Sequence, residues 1–335
     1  MIVSFHQYLR TLSPAILCCL LLLSSCTELL EKNYRYDSNV LNVQVLSLFN
    51  QRQETKKMGG ESWRGDWIFR RQRLTLVDSG LFEARPDILI LQESMSRKES
   101  PQDSDKSILM DGVLQGYEWK GLGVKEYLDS FESESIVFAA ARPLKIQDST
   151  RLWPLSTSSF LGVASLSIDG QTITVFNIQV SPLQGEGEDD VVLLDKIADI
   201  VSSYIQEKGR CMERVLLGGT LPFDHESSEF RAFKRKLSLK DASTGFCSAP
   251  GSCDTASDEN ELFESLGTRN SLPQQPDKLF VHESAILLRG VRNFTASSLP
   301  SLSYYKKYGF KKGLWPSYHY GWLSSLKLVM CGKKR

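Results

Sequence analysis

A carboxylate delivered by an apolar strand is the first group in this chain placed to do chemistry. In Ala84-Arg85-Pro86-Asp87-Ile88-Leu89-Ile90-Leu91-Gln92-Glu93-Ser94, Pro86 starts a strand and Ile88 to Leu91 reads as buried on both faces. Glu93 then emerges where the sheet stops and a site can begin. The plain alternative is a strand-terminal glutamate solvated at the surface. A second set of groups lies in Tyr304-Tyr305-Lys306-Lys307-Tyr308-Gly309-Phe310-Lys311-Lys312, where rings alternate with positive charge. Such a loop can grip phosphate, stack on a base or sit at an anionic lipid surface. It can equally be a solvated loop with a few packed aromatics.

The elements that must position these groups alternate along the chain. Val43 to Phe49 reads as a first strand, and Trp67 to Phe82 carries apolar residues at Trp67, Leu74, Val77 and Leu81, a helical spacing. Ser135–Ala140 and Gly162–Ile168 read as strands, and Asp169-Gly170 is a strong hairpin turn into Thr172–Val180. An acidic loop over 184–190 leads into a helix with Leu194, Ile197, Val201 and Ile205 on one face. Arg214–Gly218 reads as a buried strand, Ser228–Leu237 as a helix and 243–275 as a long polar loop; Leu279–Val281 and Leu323–Met330 close as strands. No Pro/Ser-rich linker divides the chain, which favours one α/β domain over residues 41–332.

The first residues read as a leader. Arg10 gives a weakly basic start, Ala15 to Leu23 is an apolar run too short to span a bilayer, and Leu23-Ser24-Ser25-Cys26 follows. This segment resembles a bacterial lipobox. The resemblance implies a signal peptide over 1–25, a lipidated Cys26 with a tether over 26–40, and attachment to a membrane of the bacterial cell envelope. Thr27 rather than aspartate suits the outer membrane. An ordinary secretory signal with a chance cysteine, or a soluble protein with an apolar leader, stays open.

Charge and cysteines bound the function. Lys+Arg and Asp+Glu each number 40, and losing the leader removes Arg10 alone among them, which leaves the mature chain one unit more negative. No overall basic field speaks for nucleic acid as a partner. Beyond the leader and Cys26 remain Cys211, Cys247, Cys253 and Cys331, an even count that permits disulfides in an oxidising compartment. Cys247 and Cys253 can close a small loop around Pro250-Gly251; some of the four staying as buried thiols is the alternative. Neither spacing matches a zinc pattern.

Read together, the strand motifs resemble those of the endonuclease/exonuclease/phosphatase superfamily over nearly the whole mature chain. Pro86 to Glu93 resembles its "PDILxLQE" strand, Leu46 to Asn50 its opening strand, and Phe176-Asn177-Ile178-Gln179-Val180 the strand that normally carries a histidine. Leu216 to Pro222 resembles the "GDFN" strand, Pro276 to Val281 the "IDYIFV" strand, and Ser317-Tyr318-His319 the terminal "SDH". The resemblance implies a four-layer α/β sandwich, with two mostly antiparallel sheets flanked by helices, that hydrolyses phosphoesters with Mg²⁺. It casts Glu93 as metal ligand, Asn50 as the amide beside it unless Phe49 holds that position, His319 as catalytic histidine and Asp277 as the carboxylate orienting it.

The departures are at Gln179, where the family has histidine; Thr220 and Pro222, where it has the aspartate and asparagine of GDFN; and Tyr318, where it has the aspartate of SDH. A hydroxyl of high pKa cannot serve as general base near neutral pH, and Pro222 offers neither an amide side chain nor a backbone donor. Losing one positioned donor typically costs about 100- to 1000-fold in turnover. The expectation is an inactive or much weakened site whose cleft binds a phosphorylated ligand, a lipid head group or a protein partner. The alternative is an active metal-dependent phosphoesterase using Glu93, Asp277 and His319, with Asp224 as a replacement carboxylate.

Overall fold

Alternation of apolar residues builds two sheets whose outer faces are covered by helices. The computed structural model describes residues 40–48, 74–97, 104–127, 131–156, 159–180, 190–223, 227–243, 246, 277–293, 321–329 and 331, all within the unit Asn39–Arg335. The first sheet joins β1 (Val40–Ser47), β2 (Ile88–Arg97), β3 (Glu118–Tyr127), β4 (Phe131–Ala140), β12 (Ile286–Asn293) and β13 (Gly321–Lys327) in the order β12-β13-β1-β2-β4-β3. The second joins β5 (Lys145–Ile146), β7 (Phe160–Ile168), β8 (Gln171–Gln179), β9 (Val215–Thr220), β10 (Leu239–Asp241) and β11 (Asp277–His282) in the order β10-β11-β9-β8-β7-β5, with β6 (Arg151–Pro154) also on β7. In each sheet one pair is parallel, β1 with β2 and β8 with β9; the other pairs are antiparallel.

The period of two decides which face each side chain takes. Leu46, Leu89, Leu91 and Val137 turn outward and pack with Leu74, Val77 and Leu81 of helix α1 (74–84) and Leu109 of α2 (Asp105–Asp111). On the other sheet, Phe176, Ile178, Leu217 and Phe280 turn outward against Leu194, Ile197, Val201 and Ile205 of α3 (Asp190–Glu207) and Phe230 and Phe233 of α4 (Ser228–Lys236). The alternate residues face inward, so the two sheets pack on each other. A Cβ at Gly218 of β9 would lie 2.8 Å from Ile90 Cδ1 and 3.0 Å from Val45 Cγ2, and one at Gly162 would lie 2.5 Å from Ile136 Cγ2. Small residues at these points let the sheets approach.

The hairpin expected at Asp169-Gly170 is present between β7 and β8, with φ of 49° and 74° at its two residues, the backbone an NG- or DG-type turn requires. Several bounds differ from the sequence reading. β1 begins at Val40, β4 at Phe131, and β13 ends at Lys327. The edge strands β3 and β12, with α2 and short β5, β6 and β10, had no clear periodic signature. β12 exposes Ile286 and Leu288 at 54% and 50%, so burial does not impose alternation on it.

Asp87, just before β2, is half-buried and accepts from the Asn42 amide at 2.7 Å. Burial pushes its carboxyl up from 3.8 to about 6, against the lowering effect of the Asn42 hydrogen bonds. The adjacent Tyr117 hydroxyl donates to Pro86 O, and its phenol is raised by burial and then by Asp87. The folded state therefore holds a proton that the unfolded chain has released, so this carboxyl removes stability as pH rises from about 4 to about 6 and leaves its full penalty above that. Asp87→Asn keeps an acceptor for Asn42 and is expected to raise stability at pH 7 by about 1–2 kcal/mol, after discounting for partial solvent access. Urea denaturation at pH 3.5, 5 and 7.5 checks it: the gain should be full at the highest pH, about half as large at pH 5 and small at pH 3.5.

Candidate functional site

The candidate site forms where the inward residues of the two sheets meet at the carboxyl ends of the parallel pair β8 and β9. Register places Gln179 opposite Thr220, and Thr220 opposite Asp277, so the three stand in one row across β8, β9 and β11. All are buried, at 9%, 7% and 4% exposure. Parity explains this: Gln179 lies two residues past inward Asn177, and Thr220 two past inward Gly218.

Glu93 reaches the same row from the other sheet. Strict alternation would turn it outward with Leu89 and Leu91, but its φ is +60°, a conformation uncommon for a residue with a Cβ. The register of β2 with β4 passes from Gln92↔Ile136 to Ser94↔Glu134 around it. So turned, the Glu93 carboxylate is 6% exposed and its Oε1 accepts from Gln179 Nε2 at 2.5 Å. β2 itself continues to Arg97, so Glu93 is neither at the strand's end nor solvated. Its strained backbone, not the end of the sheet, brings it to the site.

The second retained carboxylate is engaged in a parallel way. Thr220 Oγ1 donates to Asp277 Oδ1 at 2.9 Å. The preceding Gly219 has φ of 135°, and a Cβ there would lie 1.9 Å from Ile178 O. Glycine is needed here to deliver Thr220 beside β8. Pro222 follows buried Leu221 and is itself half-buried.

Beneath the row runs a polar tie that the sequence did not announce. Asn177 Nδ2 donates to Leu91 O at 2.8 Å and Val137 O at 2.9 Å, and its Oδ1 accepts from Gln92 Nε2 at 2.6 Å. Asn177 and Gln92 are fully buried, and their bonds cross from β8 to β2 and β4, holding one sheet in register on the other. A polar residue at an inward position of the apolar run Phe176–Val180 was the available signal.

A Mg²⁺ ion asks for near-octahedral oxygen ligation, with carboxylates presenting lone pairs. Here an amide N–H already sits on Glu93 Oε1, and among the described residues no three His, Cys, Asp or Glu converge. Glu93 and Asp277 are the carboxylates of the row that could offer an oxygen to such an ion, since a ligating carboxylate commonly accepts a hydrogen bond on its other oxygen. His319, Asn50, Phe49, Tyr318 and Asp224, together with the 304–312 patch, Cys26, Cys247 and Cys253, lie outside the described residues. The structure does contain a disulfide, Cys211–Cys331, whose pairing the sequence had left open.

Two stacked mixed sheets between helical layers, with polar residues gathered at one end, define the DNase I-like sandwich. No protein-family model matches the chain, and no curated protein does. Solved structures do. An endonuclease/exonuclease/phosphatase family protein from Bacteroides thetaiotaomicron is 20% identical with a TM-score of 0.59, covering 87% of this chain and 98% of its own. A mannosyl-6-phosphatase of the same organism is 19% identical with a TM-score of 0.57, covering 87% and 100%. The human Nocturnin catalytic domain with bound sulfate anion is 11% identical with a TM-score of 0.59, covering 88% and 95%. The fold of this chain is that of endonuclease/exonuclease/phosphatase family proteins.

Proposed function

We propose that this chain is a lipoprotein, anchored through Cys26 in the bacterial outer membrane, whose phosphoesterase-like domain has a degenerate catalytic cleft that now serves binding. The observation that carries the reading is a coincidence of positions. The two carboxylates kept from the family pattern, Glu93 and Asp277, each accept a hydrogen bond from a residue that replaces a family motif residue, Gln179 and Thr220. Gln179 thus holds the carboxylate it stands beside, and Thr220 offers Asp277 a hydroxyl rather than a second charge. Neither replacement can activate water near neutral pH. A phosphorylated ligand fits the cleft's ancestry: one neighbour is a mannosyl-6-phosphatase and another holds sulfate.

The test is hydrolysis of a generic phosphodiester by the chain from Thr27 onward, which contains every described residue, with Mg²⁺ or Mn²⁺ and with chelator, beside His319→Ala. Turnover no higher than that of the variant, from protein shown to be folded, is the expected result. Metal-dependent turnover abolished by His319→Ala would overturn the reading and establish a rewired phosphoesterase using Glu93, Asp277 and His319.

A further inference from the structure

Six large apolar side chains among the described residues are exposed, and four of them, Phe82, Ile286, Leu288 and Val329, gather at one end of the first sheet. Register defines that end. β1 starts there at Val40, Lys327 at the end of β13 pairs with Val40, and Ile286 at the start of β12 pairs with Lys327. Phe82 is in the last turn of α1, just before β2 starts beside β1 at Ile88↔Val43. Val329 lies two residues beyond Lys327, where β13 has ended.

Parity gives Val40 the outward direction of Leu46, so Lys327 and Ile286, in the same row, point outward too. Ser325, whose Oγ donates to Asn42 Oδ1 at 2.5 Å, pairs with Arg289, which brings that exposed residue to the same face. Between the two rows the register passes from Leu287↔Leu326 to Arg289↔Ser325, and Leu288 is the extra residue of the bulge, half out in solvent. Among the described residues, the helical cover formed by α1 and α2 takes in Leu46, Leu89, Leu91 and Val137 and no residue of β12. Exposed Arg85, 5.2 Å from the Phe82 ring centroid, and exposed Glu83 and Glu283 stand at the same end. The mixed charges make no strong field, so the apolar side chains are what sets this surface apart. A bulge and an arginine guard an edge strand against aggregation, and single exposed apolar residues are ordinary. Neither accounts for four of them at one end of one sheet.

We propose, resting on the anchor at Cys26, that this end of the sheet is a membrane-facing surface: Phe82, Ile286, Leu288 and Val329 enter the boundary between head groups and acyl chains of the bilayer that holds the anchor. The place where the tether joins the domain selects this occupant. Cys26 precedes Val40 by 14 residues, a reach of at most roughly 50 Å, and the chain enters the sheet at Val40, in the row of Lys327 and Ile286. So short a tether keeps the surface near lipid at an effective concentration on the order of millimolar, where a few apolar side chains suffice for contact. Lys327 and Arg289 add apolar stems whose charged heads match lipid phosphates. The contact also orients the cleft. β1 runs from Val40 to Ser47, which pairs with Gln92 beside Glu93, so the candidate site lies at the end away from the bilayer.

The experiment holds the chain from Thr27 onward, with six histidines at its amino terminus, on vesicles of phosphatidylethanolamine and phosphatidylglycerol that contain a nickel-chelating lipid. A tryptophan is placed at the surface by Leu288→Trp, or on α4 of the other sheet by Arg235→Trp, and lipids brominated on their acyl chains act as the quencher. The fluorescence that Leu288→Trp adds to the parent's should fall about twofold or more on brominated vesicles, and that added by Arg235→Trp should not change. Adding Ile286→Glu with Val329→Glu to Leu288→Trp leaves the histidines to hold the protein on the vesicles and should remove the quenching. All of these positions are exposed, so thermal melts of the variants should match the parent's. Quenching that is absent from Leu288→Trp, survives the two glutamates or appears in Arg235→Trp instead would overturn the proposal. So would absent quenching together with dimerisation in sedimentation that Ile286→Glu with Val329→Glu abolishes, which would assign the surface to a second copy of the chain. Acylation of Cys26 in the full chain is read separately by mass spectrometry. Its absence would overturn the anchor without touching the quenching result, so the two readings fail separately.

Discussion

Replacing Cys331 with serine is expected to lower stability by about 4 kcal/mol, with an upper limit near 5. The bond to Cys211 spans 120 residues of sequence, and cross-linking so long a segment removes a large share of the unfolded chain's freedom. Its position adds a second reason. Cys211 precedes the short 3-10 turn Met212–Arg214 that leads into β9, and Cys331 follows β13, so the bond joins the two sheets. It does so at the end away from the cleft, since β9 runs from Val215 there to Thr220 at the candidate site. For a domain of this size the loss corresponds to a fall in Tm of roughly 7 °C. Thermal melts of Cys331→Ser, and of the parent with and without reductant, check it; reduction should lower the parent's Tm and leave the variant's unchanged. A variant that melts with the parent would mean the sheets are held together fully by packing and by Asn177.

Asn177→Ala is the other change expected to cost most, about 3–5 kcal/mol. It removes the donors to Leu91 O and Val137 O and the acceptor for Gln92 Nε2. Each buried polar group left without its partner costs about 1–3 kcal/mol, because folding has already taken it out of water. The effect should also reach the site. β2 carries Glu93 and β8 carries Gln179, and the Asn177 bonds fix how those strands sit across from one another. Urea denaturation measures the first consequence. For the second, Asn177→Ala should broaden or shift the Gln179 side-chain amide signals in NMR spectra, whereas a surface substitution such as Arg235→Gln should not. A loss below about 1 kcal/mol would mean that water or neighbouring groups satisfy the two carbonyls.

Much of the fold was legible because burial writes its period into the chain. Strands with one face on the core and one under a helix must be apolar throughout, as in Ile88–Leu91 and Leu161–Val163, and α3 must repeat its apolar residues at helical spacing. The ordered motifs around Glu93, Gln179, Thr220 and Asp277 were readable for the same reason: each ends or continues a strongly apolar strand. The edge strands were not legible, since β3 and β12 have a neighbour on one side only and leave many residues half-exposed.

What the sequence by itself determined is the set of buried segments, their order, and the residue types standing at each motif position, including those that depart from the family. Only the tertiary structure decided what those residues do to each other. Gln179 lies on Glu93 from 86 residues away and Thr220 on Asp277 from 57. Cys211 chose Cys331 across 120 residues. The physical reason is that local periodicity depends on which face is buried, a property each segment carries alone. Contacts between distant residues depend on register, sheet order and single backbone angles such as that of Glu93, and these exist only once the segments pack.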